Sequence, residues 1–189
     1  TCALPICRIG AVSCSVAKIQ HDSLLDVQNF IERNGIRIME MEWVDGYDLD
    51  RLLTPAMLAR AEQRVKPRRW EQINNVVATA GPVRPRLKPG IAVAIIRQCL
   101  GALAALHREH IVHGDIKPAN IMVKRTCAAK IVDIGSALHL DNMPEHRTCT
   151  PQYAAPEMLE RNEFTPQSDL ASLGYVLIEI LAGKPLFAG

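Results

Sequence analysis

"HGDIKPANIMV", residues 113–123, sets an aspartate, a lysine and an asparagine within six positions around a proline. Asp115 offers a carboxylate base, Lys117 a cation suited to phosphate, and Asn120 an amide oxygen suited to a metal ion. Handling ATP requires oxygen ligands for a Mg2+ ion that bridges the phosphates, and a residue that orients the acceptor hydroxyl. Asp115, Asn120 and Asp133 supply such groups from two neighbouring loops, with Lys117 two residues past the base. A single loop Asp or Asn commonly makes only turn hydrogen bonds. That explanation does not cover the whole set: Asp-x-Lys-Pro-x-x-Asn, then Asp133-Ile134-Gly135, "TPQYAAPE" at 150–157 and "SDLASLGYVLIEIL" at 168–181.

The 189 residues suit one domain, or most of a larger one, with enough chain for a real core. A composition 48% apolar and 22% charged is that of an ordinary globular protein, and a net charge of +2 argues neither for nor against nucleic acid. The six cysteines, Cys2, Cys7, Cys14, Cys99, Cys127 and Cys149, contain no CxxC pair, so reduced thiols in a cytosol are expected rather than disulfides or a metal site. No uncharged run approaches the ~20 apolar residues of a membrane span. "TCALPICR" lacks the basic start of a signal peptide, and the missing initiator Met points to processing, excision or an incomplete sequence.

Along the chain, "VQNFIERNGIRIMEMEWV" reads as two strands joined by a turn at Asn34-Gly35, and "DGYDLDRLL" opens a helix with Asp48 as N-cap. Residues 54–90 carry eight Lys/Arg against two acids, and prolines 67, 82, 85 and 89 break their second half into loop. This reads as a solvated basic insertion, with docking of an acidic peptide or nucleic acid as the alternative. Ile91, Ile95, Ile96, Cys99, Leu100, Leu103 and Leu106 predict one buried helical stripe; Leu170, Leu173, Leu177, Ile180 and Leu181 predict another, stopped by Gly183 and Pro185. His107, His110 and His113 beside Asp115 offer a metal cluster as a competing reading, but the pattern is not HExxH.

From about His21 onward the chain resembles the eukaryotic-type protein kinase family. "HGDIKPANIM" is similar to the catalytic loop, "VDIGSA" to the metal-binding DFG segment, and "TPQYAAPEM" to the end of the activation segment. "SDLASLGYVLIEIL" resembles the central helix of the large lobe with its characteristic Asp169, and "IMEMEWVDGYDL" the adenine-binding hinge. The resemblance implies that Asp115 is the catalytic base, Lys117 the γ-phosphate contact, and Asn120 and Asp133 the Mg2+ ligands. It makes Thr150 a contact to Asp115 and Lys117, in the Ser/Thr rather than the Tyr style. Met41 becomes the gatekeeper, backbone groups of Glu42 and Val44 meet the adenine edge, Asp48 the ribose, and Met122 the underside of the ring.

Several positions depart from that pattern. Gly114 replaces a common arginine that pairs with a phosphorylated activation-loop residue, and the usual acceptor position is His146. Activity is therefore expected not to need phosphorylation there, with Thr148 left as a modifiable residue. Ile134 stands for the Phe of DFG and is expected to pack between the lobes; Ala171 stands for a Trp. No Gly-x-Gly occurs, residues 1–20 contain no Asp or Glu for the small-lobe helix, and Lys18 reads as a surface lysine of that helix. The lysine that pairs with such a glutamate is expected before residue 1, and apolar surface is expected at both ends. Glu157 resembles a buried glutamate whose arginine partner lies further downstream in the family.

The fold expected is α+β, a two-lobe kinase-like fold with a truncated small lobe (residues 1–44) and the front of the mainly helical large lobe (45–189), carrying the basic insertion at about 54–90. The function implied is ATP-dependent phosphorylation of protein serine or threonine, with ATP and Mg2+ as cofactors and a protein as substrate. An interaction module of pseudokinase type is the alternative. No nucleic-acid partner and no membrane segment are expected, and the localisation expected is cytoplasmic.

Overall fold

The computed structural model describes residue 16, residues 18–34 and residues 36–187. The N-terminal cysteines Cys2, Cys7 and Cys14 lie outside the described residues. Strands β1 (Val27–Arg33) and β2 (Ile36–Met41) form an antiparallel hairpin with Arg33 opposite Ile36. Asn34 takes φ 53°, the left-handed backbone that a two-residue hairpin turn demands and that asparagine tolerates. A three-stranded sheet follows, in the order β3 (Gly46–Asp48), β7 (Ile121–Lys124), β8 (Ala129–Ile131). Two-stranded ladders join β4 (Ala78–Thr79) to β5 (Arg86–Leu87), and β6 (Ile111–Val112) to β9 (Leu138–His139).

The helices are α1 (Leu49–Leu52), α2 (Pro55–Arg64), α3 (Pro67–Val76), α4 (Pro89–Arg108), α5 (Pro156–Arg161) and α6 (Pro166–Ala182). Asp48 caps α1 as the sequence predicts, accepting from the Arg51 N–H. Gly183, at φ 70°, ends α6 in the left-handed C-cap that favours glycine. Pro67 and Pro89 do not break the insertion into loop: each begins a helix, where a missing N–H costs nothing. The longest irregular stretch is residues 80–85, and there the insertion leans on the end of α6 through Val83 and Arg84 N–H donors to the Gly183 carbonyl.

The core lies between α4 and α6. Ala92, Ile95, Ile96, Cys99, Ala102, Leu103, Ala105 and Leu106 face inward from α4, meeting Leu173, Val176 and Ile180 of α6. Two expected stripe members, Leu100 and Leu170, instead point to solvent; alanines 92, 102 and 105 complete the buried face and let the helices approach. Helix α4 reaches the length and apolarity of a membrane span although Arg97 interrupts it, and its buried face gives a packing reason for that composition. Ile134 is buried in the same core, as expected for an aliphatic stand-in. Apolar side chains are exposed at both ends of the described chain: Ile31, Ile36 and Ile38 on the hairpin, Leu186 and Phe187 beyond α6.

Alternation along the three-stranded sheet decides what its faces do. Ile121 opposite Ile131, and Val123 opposite Ala129, turn toward the core. The opposite face carries the row Asp48, Met122, Lys130, with Gly46 and Lys124 paired beside it.

Candidate active site

The loop 113–117 hangs from α6. The Asp169 carboxylate, 2% exposed, accepts from the backbone N–H groups of His113 and Gly114, both at 2.9 Å, and contacts His107 Nε2 at 2.8 Å. A buried carboxylate is stable only with such a set of donors, and each donor belongs to the loop or to the helix that delivers it. His113 is fully buried; its Nδ1 accepts from the Asp115 N–H at 3.3 Å, so the ring proton sits on Nε2 and is donated to the Val132 carbonyl at 3.2 Å. The Val132 N–H in turn donates to the Asn120 carbonyl. One histidine thus spaces the two loops that carry Asp115 and Asp133.

Gly114 adopts φ 78°, and a Cβ there would lie 3.1 Å from the Ser136 carbonyl oxygen and 3.3 Å from the Phe164 ring. The absent arginine is therefore excluded by backbone geometry and space together. Arg147, on the segment beyond, donates to the Pro144 and Asn162 carbonyls and lies over the Phe164 ring. His146 and Thr148 are exposed.

Four of the sequence-assigned residues converge. Lys117 Nζ donates to Asp115 Oδ2 at 2.6 Å and to Thr150 Oγ1 at 2.9 Å, while the Thr150 N–H donates to Asp115 Oδ1 at 2.9 Å. Asn120 Nδ2 donates to the Asp115 carbonyl at 2.8 Å and approaches Oδ2 at 3.3 Å. Burial alone would raise the Asp115 carboxyl; the Lys117 ammonium and the Thr150 hydrogen bonds outweigh it and hold the group below its ordinary value. Cys149, next to Thr150, is pushed up by burial and by the Asp115 charge, so it stays a neutral thiol at pH 7.

Asp133 stands slightly apart. It is exposed, takes φ 62°, and its Oδ1 accepts from the Gly135 N–H at 3.2 Å; no described hydrogen bond joins it to Asp115 or Asn120. Each of the two keeps an oxygen available to a Mg2+ ion. Since Asn120 Nδ2 is committed to Asp115, its amide oxygen is the atom left for a cation, and Asp133 retains Oδ2. Among the described residues there is no group of three His, Cys, Asp or Glu able to cage an ion. Two oxygen ligands suffice for Mg2+ when phosphates complete its shell. The alternative metal reading of the histidines falls away, because His107 faces Asp169, His113 faces Val132, and His110 is exposed near Asp141.

On the hinge side, Met41 ends β2 and is exposed, Val44 is buried, and Trp43 between them is 88% exposed. The Glu42 N–H donates to the Asp26 carbonyl at 3.0 Å, so at Glu42 only the carbonyl remains to meet a base edge. Its side chain is held by the Asp26 N–H at 2.9 Å and by Lys130 Nζ. Asp48 and Met122 are cross-strand neighbours, half-buried.

Sequence reasoning missed two ionic assemblies. One is Lys130 with Glu42. The other joins Arg84 Nη1 to Asp50 Oδ1 (2.8 Å) and Glu179 Oε1 (3.0 Å), with the Tyr153 hydroxyl donating to Glu179 Oε2 at 2.7 Å. Neither pairs residues close in sequence, so no motif announces them. Glu157 corrects the opposite expectation: it is half-buried in the first turn of α5, where the helix N-terminus favours an anion, rather than a buried charge without a partner.

Asp115, Lys117, Asn120 and Thr150 thus meet in one cluster, with Asp133 on the next loop and a small hairpin leading into the mainly helical part. The protein kinase domain model matches residues 14–189, and the chain belongs to that family. It is 38% identical over 123 residues to the serine/threonine-protein kinase PknB of Mycolicibacterium smegmatis, covering 62% of this chain and 19% of PknB. Over 96 residues it is 44% identical to the glycogen synthase kinase-3 homolog YGK3 of Saccharomyces cerevisiae, covering 49% of this chain and 26% of that protein. Over 103 residues it is 36% identical to the serine/threonine-protein kinase pak-1 of Caenorhabditis elegans, covering 53% and 18%. The chain thus spans about a fifth of the length of PknB.

Proposed function

We propose that this chain carries the catalytic loop, metal side and hinge of an ATP-dependent protein serine/threonine kinase. The observation that supports this best is the closed set of hydrogen bonds among Asp115, Lys117, Asn120 and Thr150. Asp115, ionised at neutral pH, orients the incoming hydroxyl and receives its proton at a carboxylate oxygen. Lys117 faces the transferring phosphoryl group, and its bond to Thr150 sets its reach. Asn120 and Asp133 would hold Mg2+, which when bound neutralises phosphate charge. Val44 and the Glu42 carbonyl would meet the adenine edge beside gatekeeper Met41, with Met122 below the ring and Asp48 near the ribose. The division into a small-lobe part (1–44) and a large-lobe part (45–189), with the insertion at about 54–90, belongs to this reading. So does a cytoplasmic location, where Cys99, Cys127 and Cys149 would stay reduced.

The test is phosphoryl transfer from Mg·ATP to serine- and threonine-containing peptides, with Mg·ATP binding measured separately. In a protein that also carries a glycine-rich loop and the lysine strand, Asp115→Ala is expected to cut turnover by ~10²–10⁴-fold, the usual value of a positioned acid–base group. Binding without transfer would convert the reading to a pseudokinase-like module, and absence of binding would remove the nucleotide assignment.

A further inference from the structure

Lys130 is a lysine with only 7% exposure, and no motif role accounts for it. Lysine is almost never buried unless it is paired. Its Nζ donates to the Leu24 carbonyl at 3.0 Å and to Glu42 Oε1. These two partners are the feet of the β1–β2 hairpin: Leu24 lies just before β1, and Glu42 just after β2, at the start of the hinge. Glu42 Oε1 also accepts from the Asp26 N–H, and the Glu42 N–H returns to the Asp26 carbonyl, which closes a ring around the strand ends. The Ser23–Leu25 segment runs along β8 through Ile131, whose N–H donates to Ser23 and whose carbonyl accepts from Leu25. Lys130 therefore ties three chain segments at one point, and its own strand leads within three residues to Asp133.

We propose that Lys130 is a positioning residue that fixes the hinge backbone at Trp43–Asp45 relative to the metal-side loop, without itself touching nucleotide. Its consequence for nucleotide binding rests on the function proposed above. The physical ground is the cost of separating the charges. Glu42 is one-fifth exposed and can swing to water, but the buried ammonium left behind on β8 has no second anion among its described partners. The ion pair thus resists any movement that carries the hinge away from β8. Burial would by itself raise the Glu42 carboxyl, yet Lys130 and the Asp26 N–H hold it low, consistent with a pair that stays ionised.

The test combines amide hydrogen exchange read by mass spectrometry with Mg·ATP titration of the same chain, for wild type, Lys130→Met, Lys130→Arg and Glu42→Gln. Lys130→Met is expected to speed exchange over residues 43–46 by about tenfold or more while α4 stays protected, because opening is local. Mg·ATP affinity is expected to fall roughly tenfold to a hundredfold, the usual reach of a displaced supporting contact. Lys130→Arg should recover most of both effects. Glu42→Gln, which keeps the side-chain shape, should give a smaller rise at the hinge and serves if Lys130→Met does not fold. Unchanged hinge exchange in Lys130→Met, or exchange rising equally in α4, would overturn the proposal. If wild type binds no Mg·ATP while hinge exchange still rises locally in Lys130→Met, the nucleotide reading fails and the hinge lock stands.

Discussion

The two halves of α6 each bury one carboxylate, and they satisfy it in opposite ways. Asp169, near the N-terminus, is met by two neutral backbone N–H groups and by His107. Glu179, ten residues on and 3% exposed, is met by the Arg84 guanidinium and the Tyr153 hydroxyl. The first arrangement holds a loop in one shape, because backbone donors cannot move without the loop moving. The second joins distant pieces: the insertion through Arg84, α1 through Asp50, and the segment after Thr150 through Tyr153. Backbone donors make a site rigid, and long side chains make a fold coherent. The Tyr153 phenol illustrates the second case, since burial and the Glu179 carboxylate raise it well above its usual value and keep it a donor.

Asp169→Ala should be the most damaging change. It leaves two buried N–H groups without acceptors, and a loss of about 4 kcal/mol is expected from the usual cost of such orphaned groups next to a removed charge. Urea denaturation measures it, and a loss under about 1 kcal/mol would mean that the loop shape does not depend on α6.

Arg84→Met comes next. It strands Glu179 with only Tyr153, but Arg84 keeps 31% of its side chain in water, so about 2–3 kcal/mol is expected rather than the value of a fully buried pair. Combining it with Glu179→Gln should restore much of the loss. Strict additivity in that double mutant would show that the two residues are not coupled.

Gly114→Ala tests the rigid half alone. Its left-handed backbone and the 3.1 Å approach to Ser136 predict about 1–2 kcal/mol of destabilisation, seen as a lowered Tm.

The smallest effect concerns pH. Asp115 and Glu42 both have carboxyls held below their ordinary values. A lowered carboxyl contributes stability that is present above the unfolded pKa, about 4, and is lost as pH falls through the lower folded value. These two groups should therefore leave stability flat from pH 7 to about 5 and withdraw it only in the acid range below about 4. A loss beginning near pH 6 would point to a different group.

Much of the rigid half was legible in advance, because the chemistry of a loop needs particular residues at short spacing. Asp115, Lys117, Asn120 and Thr150 meet through bonds set by that spacing and two hydrogen bonds from the later segment. The Asn-Gly turn, the Asp48 cap and the Gly183 stop were legible for the same local reason. Apolar periodicity misread α6 at Leu170, because its buried stripe runs through Asp169, Ser172 and Glu179, polar residues that a purely apolar stripe leaves out. Proline misled in the insertion, since the same residue that ends one helix begins another.

The sequence alone determined the local chemistry: which residue types stand together in one loop, which backbone positions need glycine or asparagine, and where helices cap. Tertiary structure alone decided which charges are paired. Lys130 meets Glu42 across 88 residues and Arg84 meets Glu179 across 95. Such pairs follow from where strands and helices finally pack, because a charge can be buried only where the whole fold delivers its partner.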